Sequence, residues 1–259
     1  GDHRDLHSFP TRRSSDLGQR LFDPFHVRDY QSIFSTIDSR AIEGVEVYTG
    51  GFPVLFGNRM SGMVLMESLD ALESRHTEIG LSVYNASLLT VGREDDWAWV
   101  FSARRGNLDL VIDPEFGSPS YYDVFGEIAY ELTPNATLSV NALYADDQVE
   151  IILESEPEEL ERVVSDTRNS QAWIRLDNRW SDNLSSRTVL SAVSFDNFRR
   201  GSLNDEEKLV ATVYDDTLRL EIRGSLRDIA ALEIGLGTGV GGIGIQGCLF
   251  YRDIGFKHN

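Results

Sequence analysis

Between about Thr77 and Val240, apolar and polar residues alternate along the chain, and a period of two predicts β-strands. The clearest hairpin runs from Tyr122 to Tyr144. Tyr122, Val124, Gly126, Ile128, Tyr130 and Leu132 share one face, while Asp123, Phe125, Glu127, Ala129 and Glu131 share the other. After a turn at Thr133-Pro134-Asn135-Ala136, Leu138, Val140, Ala142 and Tyr144 continue the apolar face, and Ser139 and Asn141 the polar one. Trp97, Trp99, Phe101 and Ala103 alternate in the same way with Ala98, Val100, Ser102 and Arg104. Ala172, Ile174, Leu176 and Trp180 alternate with Gln171, Arg175, Asp177 and Arg179. Leu218, Leu220 and Ile222 alternate with Thr217, Arg219, Glu221 and Arg223. Between Leu184 and Phe195 neither phase is clean, and no face is assigned.

Short and long connections take turns between these strands. Arg93 to Asp96, Thr133 to Ala136, Ser181 to Asn183 and Gly224 to Asp228 are short. Gly106 to Ser120, Asp146 to Ser170 and Asn197 to Glu207 read as long loops. An up-and-down barrel in an outer membrane has tight turns at one rim and long loops at the other, with aromatic side chains near its strand ends. Trp97, Trp99, Tyr122, Tyr144, Trp173 and Trp180 fall near strand ends here. The competing reading of any single hairpin is a soluble antiparallel sheet with one solvated face. Alternation, segregated loop lengths and end-placed aromatics together favour the membrane.

Composition changes this picture little. No apolar run reaches the roughly 18 residues of a membrane helix, but a membrane β-strand needs only about 10 residues with half of them apolar. A mean hydropathy of -0.25 therefore allows it. The net charge of -18 argues against nucleic-acid binding. Much of it lies in Glu154, Glu156, Glu158, Glu159 and Glu161, which read as a solvated loop. Cys248 is the only cysteine, so no disulfide forms within the chain, and the 5 histidines never fall at ligand spacing. No cofactor and no metal site are expected.

Both ends stand apart. His3 to Leu17 (HRDLHSFPTRRSSDL) looks like the in-frame translation of a short-read sequencing adapter, residue for residue. Residues 1–17 are therefore set aside as non-native, with the native chain expected to begin near Gly18 inside an open reading frame. The lack of a leader peptide then says nothing about location. Beyond Gly241 the strand chemistry dissolves, and residues 242–259 are left as a doubtful tail.

Between the artefact and the strands lies Ala41 to Ser68, AIEGVEVYTGGFPVLFGNRMSGMVLMES. Val45 and Val47 belong to a short strand, Gly50-Gly51 with Pro53 and then Gly57-Asn58 make turns, and Gly62 to Met66 returns as another strand. This stretch resembles the end of the plug domain of TonB-dependent outer-membrane receptors. The matching positions include Glu43, Val45, Glu46, Val47, Gly50, Gly51, Phe52, Pro53, Gly57, Arg59, Ser61, Gly62 and Val64; Asn58 and Leu55-Phe56 depart from the usual pattern. Leu21-Phe22-Asp23-Pro24-Phe25-His26 with Phe34 resembles the preceding plug segment. Ile79 to Ser82 and Ala86 to Gly92 resemble the first barrel hairpin, and Trp99 to Leu110 the third barrel strand.

The resemblance implies a mainly β fold: a partial antiparallel transmembrane β-barrel of about nine strands over 75–241, preceded by the C-terminal part of a small α/β plug over 18–74. It implies a fragment of a receptor in the Gram-negative outer membrane, for energised uptake of a scarce ligand such as a siderophore, cobalamin or a glycan, and not an enzyme. Its partners would be the lipid bilayer, the extracellular ligand and the TonB energy-coupling complex, whose contact site lies outside this fragment. Glu46, Gly50, Gly51, Pro53, Gly57, Arg59 and Gly62 mark the plug motif, with Arg59 and Glu46 expected to pair with charges on the barrel wall. Gly106 to Ser120 and Asp146 to Ser170 would line the ligand mouth. A non-transporting outer-membrane barrel (adhesin or porin-like) and a soluble all-β enzyme are the alternatives; paired carboxylates such as Asp146 and Asp147 are the nearest thing to catalytic groups.

Overall fold

The computed structural model describes residues 17, 21, 25–26, 34–48, 63–69, 75–113, 117–156, 159–203, 206–226, 230–239 and 242–251. Residues 17–69, the prefix, contain two small antiparallel pairs. β1 (Phe25–His26) pairs with β2 (Phe34–Ser35), and β3 (Ile42–Tyr48) pairs with β4 (Met63–Ser68). A 3-10 turn at Ser39–Ala41 leads into β3, and the Asp38 carboxylate caps it by accepting from the Arg40 amide. An α/β character was expected here, but no α-helix occurs among the described residues of the prefix.

The rest is one antiparallel sheet in strict sequence order. It comprises β5 (His76–Leu81), β6 (Asn85–Glu94), β7 (Trp97–Gly106), β8 (Ser120–Thr133), β9 (Ala136–Glu156), β10 (Glu159–Ser181), β11 (Leu184–Leu203), β12 (Glu206–Leu226), β13 (Ala230–Gly239) and β14 (Gly242–Tyr251). These 10 strands exceed the expected nine because the tail joins in. Gly242 to Tyr251 pairs along the whole of β13, with Ile243 opposite Thr238 and Tyr251 opposite Ala230. Isoleucine and aromatic residues in the tail suit a strand, and ladder bonds use the backbone whatever the glycine content. The sheet is open, with β5 and β14 at its edges.

Two of the expected long loops are strands. β9 and β10 stay paired through Val149↔Ser165 and Ile151↔Val163, and β11 and β12 through Arg200↔Val210. The glutamates signalled solvation, which a paired backbone tolerates; the β-branched residues among them favour extended chain. Of the three, the connection after β7 is a loop, with a 3-10 turn at Leu108–Leu110 and Ser118 N–H donating to the Glu150 carbonyl at 3.0 Å. At the other rim the turns are tight. Asp95 takes a left-handed φ of 51° in the two-residue turn between Glu94 and Trp97.

The two faces of this sheet differ in burial: large apolar side chains stand exposed on the outer face, while the inner face buries polar side chains beside an apolar cluster. Ile128 is 53% exposed, Val140 52%, Ile174 44% and Leu190 44%, whereas Asp123 and Ser139 are 0% exposed. Asn141, Glu127, Gln171, Arg175 and Ser191 are likewise buried. In β11, whose faces the sequence left unassigned, Val189, Ser191 and Val193 point inward, while Leu190 is exposed. Trp99, Ile128, Val140, Ile174, Leu190 and Leu220 lie side by side across β7 to β12, and the same register continues to Leu236 and Ile245. Hence an apolar row crosses the outer face.

The prefix covers the inner face. Leu17, Ile37 and Ala41 pack with Leu89, Val91, Val100, Phe125, Leu143, Trp173 and Val189, and Leu21, Ile42, Met66 and Leu69 border that cluster. Leu17, last residue of the stretch set aside as non-native, is 3% exposed in it. Trp173 was grouped with the rim aromatics, yet it sits on this inner face, 6.4 Å from the Phe125 ring.

Candidate functional site

The site is the buried seam between prefix and sheet. β8 and β9 pair so that Tyr121 lies opposite Asp147, with Asp123 two residues further along β8. Both carboxylates point inward, and the side chain of His26 from β1 enters between them. Its Nδ1 lies 2.7 Å from Asp147 Oδ1 and its Nε2 lies 3.0 Å from Asp123 Oδ2. The ring stacks on Tyr121 with centroids 4.4 Å apart. Gly106 makes room for this stack, because a Cβ there would run into the Tyr121 ring.

Arg104, opposite Asp123 in the β7–β8 register, supplies a positive charge. Its Nε donates to both Asp123 oxygens at 3.1 Å, and its Nη2 lies 2.9 Å from Oδ2. The same Nη2 donates to the backbone carbonyl of Ser35 in β2. Burial works against a charged imidazole at position 26, but its hydrogen bonds to Asp123 and Asp147 and their negative charges outweigh it. The pKa of His26 is raised above its ordinary value of 6.5.

Two further ties flank this cluster. Trp173 donates its indole N–H to the Leu17 carbonyl at 2.8 Å. Arg40 spans from Asp38, at 2.7 Å, to Glu78 on β5, also at 2.7 Å. Burial would raise the carboxyl of Asp38, but hydrogen bonds from Arg40 hold it below the usual carboxylate range. Towards the tight-turn rim the inner face carries alternating charges. Glu127 meets Arg175 at 3.2 Å, Arg175 meets Asp177 at 3.0 Å, and Arg187 meets Asp177 at 2.6 Å.

Of the residues expected to mark the plug motif, Gly50, Gly51, Pro53, Gly57, Arg59 and Gly62 lie outside the described residues. Glu46 is described, and no ion pair joins it to the sheet among the described residues. It is exposed on β3 and accepts from the Tyr48 hydroxyl at 2.6 Å. His26, Ser35 and Arg40 of the prefix make polar contacts with the sheet. His26 stood in the Leu21 to His26 segment without a role, and no local spacing ties it to Asp123 or Asp147. Asp146 and Asp147 do not act as a pair, since they point to opposite faces. Asp146 meets Arg168 at 3.1 Å and Tyr144 at 3.2 Å, while Asp147 meets His26.

Chemically, the cluster fastens. Both imidazole nitrogens are engaged by carboxylates, and the ring has no exposed surface. Comparison with known proteins adds nothing to the geometry: no family model matches the chain, and no curated protein matches it.

Proposed function

We propose that this chain is part of a TonB-dependent outer-membrane receptor, its strands crossing the outer membrane and its prefix forming part of the plug. The observation that supports this reading best is the exposed apolar outer face of the sheet opposite a partly polar buried one. Large apolar side chains are exposed on one face, and acidic, basic and amide side chains are buried beneath the prefix on the other. Water would penalise that outer face, whereas acyl chains would match it.

The dimensions agree. Trp97 and Tyr130, with ring centroids 4.5 Å apart, stand towards the tight-turn rim, and Tyr122 and Tyr144, 5.9 Å apart, stand towards the other. Tyr122 and Tyr130 are separated by about 26 Å along β8 at ~3.3 Å per residue. With strands tilted by about 35–45°, that length spans about 20 Å of membrane depth, of the same order as an apolar band about 25 Å tall between aromatic girdles. β9 and β10, at 21 and 23 residues, exceed the 9–11 or so that a crossing needs. In this reading the surplus stands outside the cell, with the loop after β7, at the mouth that admits a siderophore, cobalamin or glycan.

A wet interior also fits the inner face. Ser102 Oγ, Ser139 Oγ, both amide atoms of Asn141, Glu127 Oε2 and Arg175 Nη1 are buried without a protein partner among the described residues. Such groups call for water, which a receptor lumen supplies. A non-transporting barrel would leave the prefix without this docking surface, and a soluble enzyme would have its exposed apolar row unexplained.

Expression in a Gram-negative host tests the reading. The chain is expected in the outer-membrane fraction, released by detergent and not by alkaline carbonate. A monomeric, folded product in detergent-free buffer would contradict it. For transport itself, the full reading frame is expected to confer ligand uptake that disappears in a strain lacking the TonB protein.

A further inference from the structure

We propose that His26 is a proton-held latch: an imidazolium clamped between Asp123 and Asp147 that fastens the prefix to the inner face of the sheet and lets go when it loses its proton. This inference stands on the seam alone and does not depend on transport.

The geometry requires the charge. An ionised carboxylate only accepts hydrogen bonds, so each of the two partners needs a donor from the ring. A neutral imidazole has one N–H and one lone pair, and can serve only one of them. Here both nitrogens lie within bonding distance of carboxylate oxygens, at 2.7 and 3.0 Å. Doubly protonated His26 satisfies both at once. Formal charge also closes: His26 and Arg104 balance Asp123 and Asp147.

The alternatives are costly because the site is closed. His26 and Asp123 have no exposed side-chain surface, and Asp147 has 11%. Once the ring is neutral, one nitrogen lone pair faces a carboxylate, and solvent has little room to intervene. Such an uncompensated buried charge favours separation of the parts. The groups facing the ring come from every packed element. They are Asp123 and Tyr121 on β8, Asp147 on β9, Arg104 on β7 and, through Arg104, the Asp38 carboxylate of the prefix. Arg104 donates to both oxygens of Asp123. Asp147 receives its charge-assisted bond from His26.

The latch also has the right position. His26 sits in β1, whose partner β2 gives its Ser35 carbonyl to Arg104. Losing the His26 contact therefore leaves, among the described residues, the Ser35 carbonyl as the polar tie of this pair to β7. A mechanical pull or a rise in pH would act on the same bond.

The test uses the full chain in detergent micelles, with His3, His7, His76 and His258 replaced by Gln and the remaining histidine labelled with nitrogen-15. At pH 7 both ring nitrogens are expected to give the imidazolium signature, whereas a free imidazole of pKa about 6.5 would be about three-quarters neutral. A neutral tautomer at pH 7 would overturn the proposal. Amide exchange of residues 35–41, corrected for its intrinsic pH dependence, is expected to lose protection over the same pH range in which the ring loses its proton. In His26→Gln that pH dependence should vanish. Equal pH dependence in the parent and the variant would also overturn the proposal. Should the variant fail to fold, the ring spectrum of the His26-retaining chain decides alone.

Discussion

The indole of Trp173, on β10, donates to the backbone carbonyl of Leu17, 156 residues earlier in the chain, at 2.8 Å. The acceptor belongs to the backbone, so the bond does not depend on which side chain stands at position 17. Trp173→Phe keeps an aromatic ring against Phe125 and removes the donor. The expected cost is about 1 kcal/mol plus the loss of packed ring volume. Amide exchange at Ile37 and Ala41 should speed up, while the strand pairs far from the seam, such as Leu138 with Leu176, should be unaffected.

The pH dependence of docking has a definite sign. The folded pKa of His26 lies above its ordinary value, so the protonated ring favours the docked state. Its contribution is complete below about 6.5 and falls away as pH rises through the raised folded value. Docking of the prefix, read by protection of residues 35–41, is therefore expected to weaken on the alkaline side. Asp147→Asn should lower the pH at which this happens, because it removes one of the two charges that hold the proton.

Outer-face substitutions separate lipid from water. Leu190 and Ile174 are cross-strand neighbours in the middle of the apolar row. Leu190→Lys is expected to cost about 2–4 kcal/mol if that face meets the bilayer midplane, and within about 0.5 kcal/mol if it meets water. Urea titration of the chain folded into lipid vesicles reads the difference. A cost near zero would count against a membrane-facing surface.

Much of this architecture was legible in the chain. Alternation in the Tyr122 to Tyr144 hairpin assigned both faces correctly, because a side-chain period of two leaves no freedom once the strand is recognised. Asp146 to Ser170 was misread as a loop: its acidic side chains describe solvent, while strand pairing is made by backbone groups that charge does not interrupt. The tail was misread because Gly242, Gly244 and Gly247 hide a strand that only its partner β13 reveals. The seam was less legible still. His26 meets Asp123 and Asp147 across 97 and 121 residues, a juxtaposition no local spacing encodes.

Gly92 tests the outer face at a second scale. It pairs with Trp99, and a Cβ at that position would come within 2.5 Å of the indole. Gly92→Val should displace the Trp99 ring and cost about 1–3 kcal/mol, as overpacking does elsewhere. Trp99 fluorescence is expected to shift, whereas a variant with parent-like emission would mean that the ring does not lie over the glycine.

The most direct measurement of the central claim uses the 4 tryptophans themselves. Single-tryptophan variants, with the others changed to Phe, are folded into vesicles containing lipids brominated on their acyl chains. Trp97 and Trp99 on the outer face should be quenched strongly, and Trp180 at its margin less so, while Trp173 beneath the prefix should keep its emission. Quenching of Trp173 with no quenching of Trp97 and Trp99 would contradict the assignment of the two faces, and with it the receptor reading.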